Sequence, residues 1–247
     1  MIRRVFAKCA LGILPKNVKR RLGVHLGAPD LEWSLRQLRR FGFCPKHILD
    51  VGAFEGGWAT MCLQMFPASH ITCIEPQEAS QRTLRDFEGN HPNVKVVQTL
   101  LGRHVRERVP FEDRGTGSCV FCGVCGEGSA KPMTTIDALI SKDVCCPPEF
   151  LKLDVQGYEI EVLEGWTRGF EQCEVIQIEM SLLPLVPGAP LLHEVVAYLH
   201  RRGFVIYDIE ELICSPSDGA VWQIDVLCCR ENSPLRTERV WAAQPAV

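Results

Sequence analysis

The 247-residue sequence contains no apolar run near the ~20 residues that a bilayer-spanning helix needs. It has no Asn-x-Ser/Thr acceptor, no internal repeat and no low-complexity tract. It reads as having no secretory leader: Met1-Ile2-Arg3-Arg4 is basic, but the following apolar stretch is cut by Lys8 and stops at Pro15-Lys16. The G-x-G-x-x-G dinucleotide fingerprint is missing as well, because the candidate glycines are spaced Gly52-x3-Gly56. A composition of 46% hydrophobic and 23% charged residues excludes disordered, collagen-like and coiled-coil chains.

What is present is unevenly distributed. Residues 1–46 hold eleven lysines and arginines against two acids, Asp30 and Glu32, whereas the rest of the chain is strongly acidic. The formal net charge of −3 therefore combines a basic front end with an acidic body, which does not describe a nucleic-acid binder. Segment 1–29 interleaves basic residues with Leu, Ile, Val and Phe. It fits an amphipathic helix on an anionic membrane or protein partner, or else a solvated extension or capping helix. Thirteen cysteines are too sparse for a small disulfide scaffold, and they read as reduced thiols of a cytoplasmic protein.

Leu31, Leu35, Leu38 and Phe41 recur at helical spacing and predict a lead-in helix ended by Gly42 and Pro45. From His47 onward, short apolar strands alternate with helices. Strands are predicted within 47–53, 70–76, 94–100, 150–155 and 173–179, and a closing hairpin at 204–209 and 221–227. That alternation predicts a doubly wound, mostly parallel α/β sheet in three layers. Segment 103–149 is too long for a plain connection and is expected to hold extra strands or an insertion covering a substrate.

Asp50-Val51-Gly52-Ala53-Phe54-Glu55-Gly56 closes a strand and opens a helix, where a glycine turn lets backbone approach a ligand. Glu75 ends the second strand, where an acid can hydrogen-bond ribose hydroxyls, and Asp50 at the first strand tip can face a cationic ligand group.

These blocks, together with Ile74-Glu75-Pro76, Thr135-Ile136-Asp137, Leu151-Lys152-Leu153-Asp154-Val155-Gln156-Gly157-Tyr158-Glu159, Ile178-Glu179, Gly203-Phe204 and Gln223-x-Asp225, resemble the FkbM family of S-adenosylmethionine-dependent methyltransferases. The resemblance covers about residues 31–235, leaving 1–30 as an extension and 236–247 as a tail. It implies a class I, Rossmann-like methyltransferase fold whose last strand is antiparallel. It also implies methyl transfer to a hydroxyl of a sugar, polyketide or similar small metabolite. Carried over, it places S-adenosylmethionine against Gly52, Ala53, Gly56, Glu75 and Pro76. Family members more often have Glu where this chain has Gln156.

Methyl transfer needs an acceptor oxygen held in line and relieved of its proton. Asp154, at the end of the fourth strand, is the first candidate for orienting or deprotonating it. Lys152 on the same strand face can keep Asp154 ionised or touch the acceptor, and Glu179 can reach it from the fifth strand. Glu159 complements a helix N-terminus, and His193 beside a proline-rich loop is a weaker catalytic candidate. No metal is assigned, although Asp154, Glu179 and Asp137 could share a divalent cation. Cys119-x2-Cys122-x2-Cys125 also has spacing suited to zinc or an iron–sulfur cluster, but no second Cys-x2-Cys pair follows. A non-catalytic scaffold anchored by 1–29, or a metal-binding protein using this cluster, are the alternatives to an enzyme.

Overall fold

A computed structural model describes residues 30–113, 115–120 and 129–236. The basic segment 1–29, Cys122, Cys125 and the tail 237–247 lie outside the described residues, and with them the membrane or partner contact and most of the cysteine cluster.

Helix α1 (Leu31–Arg40) begins where the Asp30 carboxylate accepts the Trp33 amide at 3.2 Å. Glu32 in its first turn and Arg39 and Arg40 in its last complement the helix dipole, and Leu35 and Leu38 are fully buried. Three strands and two helices of the main layer system follow. They are β1 (His47–Val51), α2 (Gly57–Met65), β2 (His70–Ile74), α3 (Glu78–Asn90) and β3 (Val94–Val97). A second, smaller sheet comes next, built from β4 (Leu100–Leu101), β5 (Arg106–Glu112), β6 (Cys119–Val120) and β7 (Ser129–Thr134). The chain then returns through α4 (Ile136–Ser141), β8 (Phe150–Leu153), α5 (Glu159–Glu164), β9 (Val175–Ser181) and α6 (Leu192–Arg201) to β10 (Phe204–Cys214) and β11 (Val221–Arg230).

The main sheet has seven strands in the order β10-β11-β9-β8-β1-β2-β3. Strands β3, β2, β1, β8 and β9 run parallel, and β11 is antiparallel to both β9 and β10. Side-chain alternation divides the core between the two faces. Leu49, Val51, Leu151, Leu153, Ile176 and Ile178 pack with α4, α5, α6 and the fully buried Trp166. Ile48, Phe150 and Val175 point the other way, onto α1, α2 and α3. The result is a three-layer α/β fold with both faces covered, the usual condition for parallel strands.

The third strand stops at Val97 rather than reaching Leu100, because Leu100 and Leu101 pair with Met133 and Thr134 of β7. That departure starts the second sheet, whose own small core is Leu100, Val109, Phe111 and Met133. The segment 103–149 thus carries strands and a helix, and the first part of it walls the site described below.

The register carries the alternation directly into the site. Asp50 of β1 lies opposite Lys152 of β8, which lies opposite Gln177 of β9. All three share the face of Ile48 and Phe150, so a polar row crosses the α1–α3 side of the sheet near its carboxyl ends. Just beyond it, Gly52 has φ +80°, and a Cβ there would lie 1.9 Å from the Asp154 carbonyl oxygen. Gly42 also has a positive φ, +88°, but open space around it. Gly52→Ala should therefore cost well above the ~1 kcal/mol expected of Gly42→Ala, which suffers the backbone penalty alone. Urea unfolding of both variants compares the two costs, and equal losses would remove the β1–β8 crowding argument.

Candidate active site

A cavity of about 290 Å³ opens at the carboxyl ends of β1, β2 and β8, the position where an open α/β sheet receives ligands. One wall is the turn after β1, with Gly52, Ala53 and Phe54, and a second is Ile74, Glu75, Pro76 and Gln77. The small sheet contributes Leu100, Leu101, Phe111, Cys119 and Val120. Opposite these stand Lys152, Asp154, Gln156, Gln177 and Asp225, with Trp58 and Leu31 closing the side nearest α1 and α2.

Glu75 holds the glycine turn in place. Its carboxylate accepts the Phe54 amide at 2.8 Å and the Gln77 amide at 2.9 Å, one on each oxygen. The turn is also pinned by the Gly52 and Ala53 amides, both donating to the Ile74 carbonyl. Burial pushes the Glu75 carboxyl above the ordinary range, against the opposing pull of those two amides. Each oxygen keeps a free lone pair, so Glu75 can still accept from a ligand.

Lys152 is the electrostatic centre. Its ammonium donates to the Gly52 carbonyl at 2.6 Å and lies 3.3 Å from Asp50 Oδ1 and 3.5 Å from Asp154 Oδ2. Burial opposes the charge on Lys152, but Asp50 and Asp154 beside it outweigh that and raise its pKa. Next in the row, the Trp58 indole donates to Gln177 Oε1 at 2.5 Å, fixing α2 over the sheet.

Asp154 presents a side chain that is 41% exposed to the cavity. It is steadied from two sides, by Lys152 and by Gln156. The Gln156 amide donates to Asp154 Oδ1 at 2.9 Å and to Glu179 Oε2 at 2.8 Å. Gln156 makes this bridge from a left-handed backbone, φ +53°, which few non-glycine residues adopt. Gln223 donates to the same Glu179 oxygen at 2.8 Å. Burial first, and then Asp154 and Asp225 nearby, push Glu179 up to about 9. Asp225, on β11 directly opposite Glu179, is pushed up to about 6 mainly by burial.

Several residues stand elsewhere than their motifs suggest. Asp50 is fully buried and does not line the cavity, because its strand position turns it under the sheet end toward Lys152. Gly56 belongs to the turn but not to the wall: a Cβ there would meet Leu84 and Phe87 of α3. Glu179 lies behind Gln156 rather than on the wall. Asp137 caps the Thr167 and Arg168 amides at 2.8 Å, away from the cavity, so it is no partner of Asp154 for a cation. His193 is exposed on α6 and does not line the cavity. Glu159 folds back on its own turn, accepting the Gly157 amide at 3.0 Å and the Val155 amide at 3.3 Å. Among the described residues no three His, Cys, Asp or Glu side chains converge on a metal position.

Trp58 and Gln177 were not singled out from the sequence. The signal for Gln177 is a lone amide inside the otherwise apolar run Val175–Ile178, in register with Lys152. Trp58 carries no such mark, since only helix packing brings it there.

The model of the methyltransferase FkbM domain family matches residues 50–206, more than half of the chain. Among solved structures, a methyltransferase FkbM from Methylobacillus flagellatus is similar with a TM-score of 0.50 at 18% identity, over 73% of this chain and 43% of that protein. This chain thus spans less than half the length of that relative. A putative O-methyltransferase from Klebsiella pneumoniae has a TM-score of 0.47 at 9% identity, covering 81% of this chain and 78% of its own. A precorrin-6y C5,15-methyltransferase from Geobacter metallireducens has a TM-score of 0.44 at 13% identity, with 80% and 86% covered. At these identities the likeness is one of fold. No curated protein matches the chain.

Two outcomes follow from the buried charges. Lys152→Met strands Asp50 without its cation and should cost about 3–5 kcal/mol in urea unfolding. The Asp50→Leu/Lys152→Met double variant should recover much of that loss, and no recovery would mean that the ammonium acts through packing instead. Glu159, pushed up to about 7 by burial, binds a proton more tightly folded than unfolded. Its stabilising contribution is therefore complete below the unfolded value of ~4.5 and is lost as pH rises through 7. Glu159→Gln should lack that loss, so its melting temperature should gain on wild type by several degrees between pH 5 and 8.

Proposed function

This chain belongs to the methyltransferase FkbM domain family, and from that premise we propose that it is an S-adenosylmethionine-dependent O-methyltransferase acting on a small hydroxyl-bearing molecule. The observation that carries the reading is one cavity walled jointly by the Gly52–Phe54 turn, Glu75 and Asp154.

The residues fit the cofactor. Gly52 brings bare backbone to the wall, and Glu75 keeps acceptor capacity beside it. Ile74, Pro76, Leu100 and Leu101 supply apolar surface for a flat heterocycle. Among the described residues the wall carries Glu55, Glu75, Asp154 and Asp225 against one cation, Lys152, whose charge is already shared by Asp50, so a sulfonium is electrostatically suited to it. Gly52, Ala53, Glu75 and Pro76 would hold S-adenosylmethionine. Asp50 and Gly56 would serve it indirectly, the first through Lys152 and the second by seating α2 on α3. When bound, this cofactor supplies an activated methyl group.

The chain's own task is to seat the acceptor and take its proton. Asp154 is the carboxylate placed to accept a hydroxyl proton, and Lys152 and Gln156 fix its two oxygens in orientation. Burial and the neighbouring acids push Glu179 up, and the Gln156 amide that links it to Asp154 separates the two carboxyl groups. Lys152 thus acts as a positioning residue, since the three oxygens around its ammonium belong to the protein. We place the enzyme in the cytoplasm with no nucleic-acid partner; among the described residues no helix is long and apolar enough to cross a membrane.

Calorimetry should detect binding of S-adenosylmethionine and S-adenosylhomocysteine to the wild-type protein, with Glu75→Ala weakening it at least tenfold. With methyl-labelled cofactor and a panel of sugars and phenols, label should move to an acceptor oxygen. Asp154→Asn should slow that transfer at least ~100-fold while S-adenosylhomocysteine affinity stays within about threefold. A wild-type protein that binds neither compound would overturn the enzyme reading in favour of a scaffold on this fold.

A further inference from the structure

A second cavity adjoins the one that Asp154 lines. Val120, Gln156 and Tyr158 also line a second cavity of about 610 Å³, so these three side chains form a common sill. Beyond the sill the wall is mainly apolar: Ile160 from α5, and Val186, Ala189 and Pro190 from the segment between β9 and α6. That segment is held close by Gly157, whose φ is +93° and where a Cβ would lie 2.4 Å from the Ala189 side chain. The turn that aims Gln156 at Asp154 therefore also seats the far wall.

Charge on the two walls is one-sided. Among the described residues the second cavity has no lysine or arginine, and its ionisable side chains are Glu161 and Glu194. Arg103, 3.0 Å from Glu161, does not line it. In the first cavity the lining cation is Lys152, already committed to Gly52, Asp50 and Asp154. A phosphate, sulfate or carboxylate on the acceptor would lose its hydration here and meet acids instead of donors.

Resting on the methyltransferase reading above, we propose that the acceptor is an elongated, anion-free amphiphile, its hydroxyl end at Asp154 and an apolar segment crossing the Gln156–Tyr158 sill into the second cavity. The acceptor class is thus a neutral or cationic hydroxyl compound with an alkyl or comparably apolar extension, rather than a free monosaccharide or a phosphorylated metabolite. Val186, Ala189 and Ile160 are its specificity-determining residues.

The test uses the full chain with saturating S-adenosylhomocysteine and measures calorimetric binding of methyl β-glucoside, octyl β-glucoside and octyl sulfate below their micelle concentrations. Octyl β-glucoside should bind at least tenfold more tightly than methyl β-glucoside, and octyl sulfate should bind at least tenfold more weakly than octyl β-glucoside. Val186→Trp, in an exposed segment, narrows the second cavity beside the sill and should remove at least fivefold of the alkyl advantage while S-adenosylhomocysteine still binds. Equal affinities for the two glucosides, octyl sulfate matching octyl β-glucoside, or an unchanged alkyl advantage in Val186→Trp overturns the proposal. Failure of the wild type to bind S-adenosylhomocysteine overturns the cofactor reading instead, and this one with it.

Discussion

A buried ammonium surrounded by three oxygens organises the ligand end of this sheet. Lys152 is nearly inaccessible, and a charge so placed must be compensated or the strand cannot sit there. Compensation comes from Asp50 on the neighbouring strand, from the Gly52 carbonyl of the turn above it, and from Asp154 two residues along its own strand. Each partner belongs to a different part of the site: the sheet floor, the glycine turn and the carboxylate exposed to the cavity. Moving one of them leaves a buried charge short of a partner, so the three parts hold one another's positions.

The same arrangement explains why a site lined with acids does not repel itself apart. Asp50 is paired with Lys152, and Glu179 and Asp225 are pushed up to about 9 and 6 by burial first and then by Asp154 beside both. The amides of Gln156 and Gln223 converge on Glu179, and Gln156 links it to Asp154. A glutamate at 156 would add another acid where this chain uses a donor.

The layered α/β architecture was legible because its causes are local. Apolar runs of strand length alternate with amphipathic helices, and the closing pair β10–β11 is written in two such runs close together. That Glu75 and the Gly52 turn line one cavity was legible for a related reason, since strand ends and glycine turns gather at one edge of such sheets. Asp50 misled as a ligand contact because the sequence shows a strand-tip acid but not which way it faces. Its face follows from alternation with Ile48, and its partner only from the register with β8, about a hundred residues away. Glu179 and His193 misled similarly. The motif gives the strand or helix, whereas Gln156 screens the one and exposure on α6 removes the other.

By itself, the sequence determined which segments become strands and helices, which chain end is basic, and which residue types gather at the strand ends. Those properties follow from periodicity and from the placement of glycines and charges, which act over a few residues. Only the tertiary structure decided that Lys152 answers Asp50, that Gln156 joins Asp154 to Glu179, that Trp58 closes on Gln177, and that a second cavity adjoins the first. Each of those contacts joins groups whose relative position is set by strand register and by layer packing. A buried charge or amide is stable only where its partner arrives, and the sequence does not carry that distance.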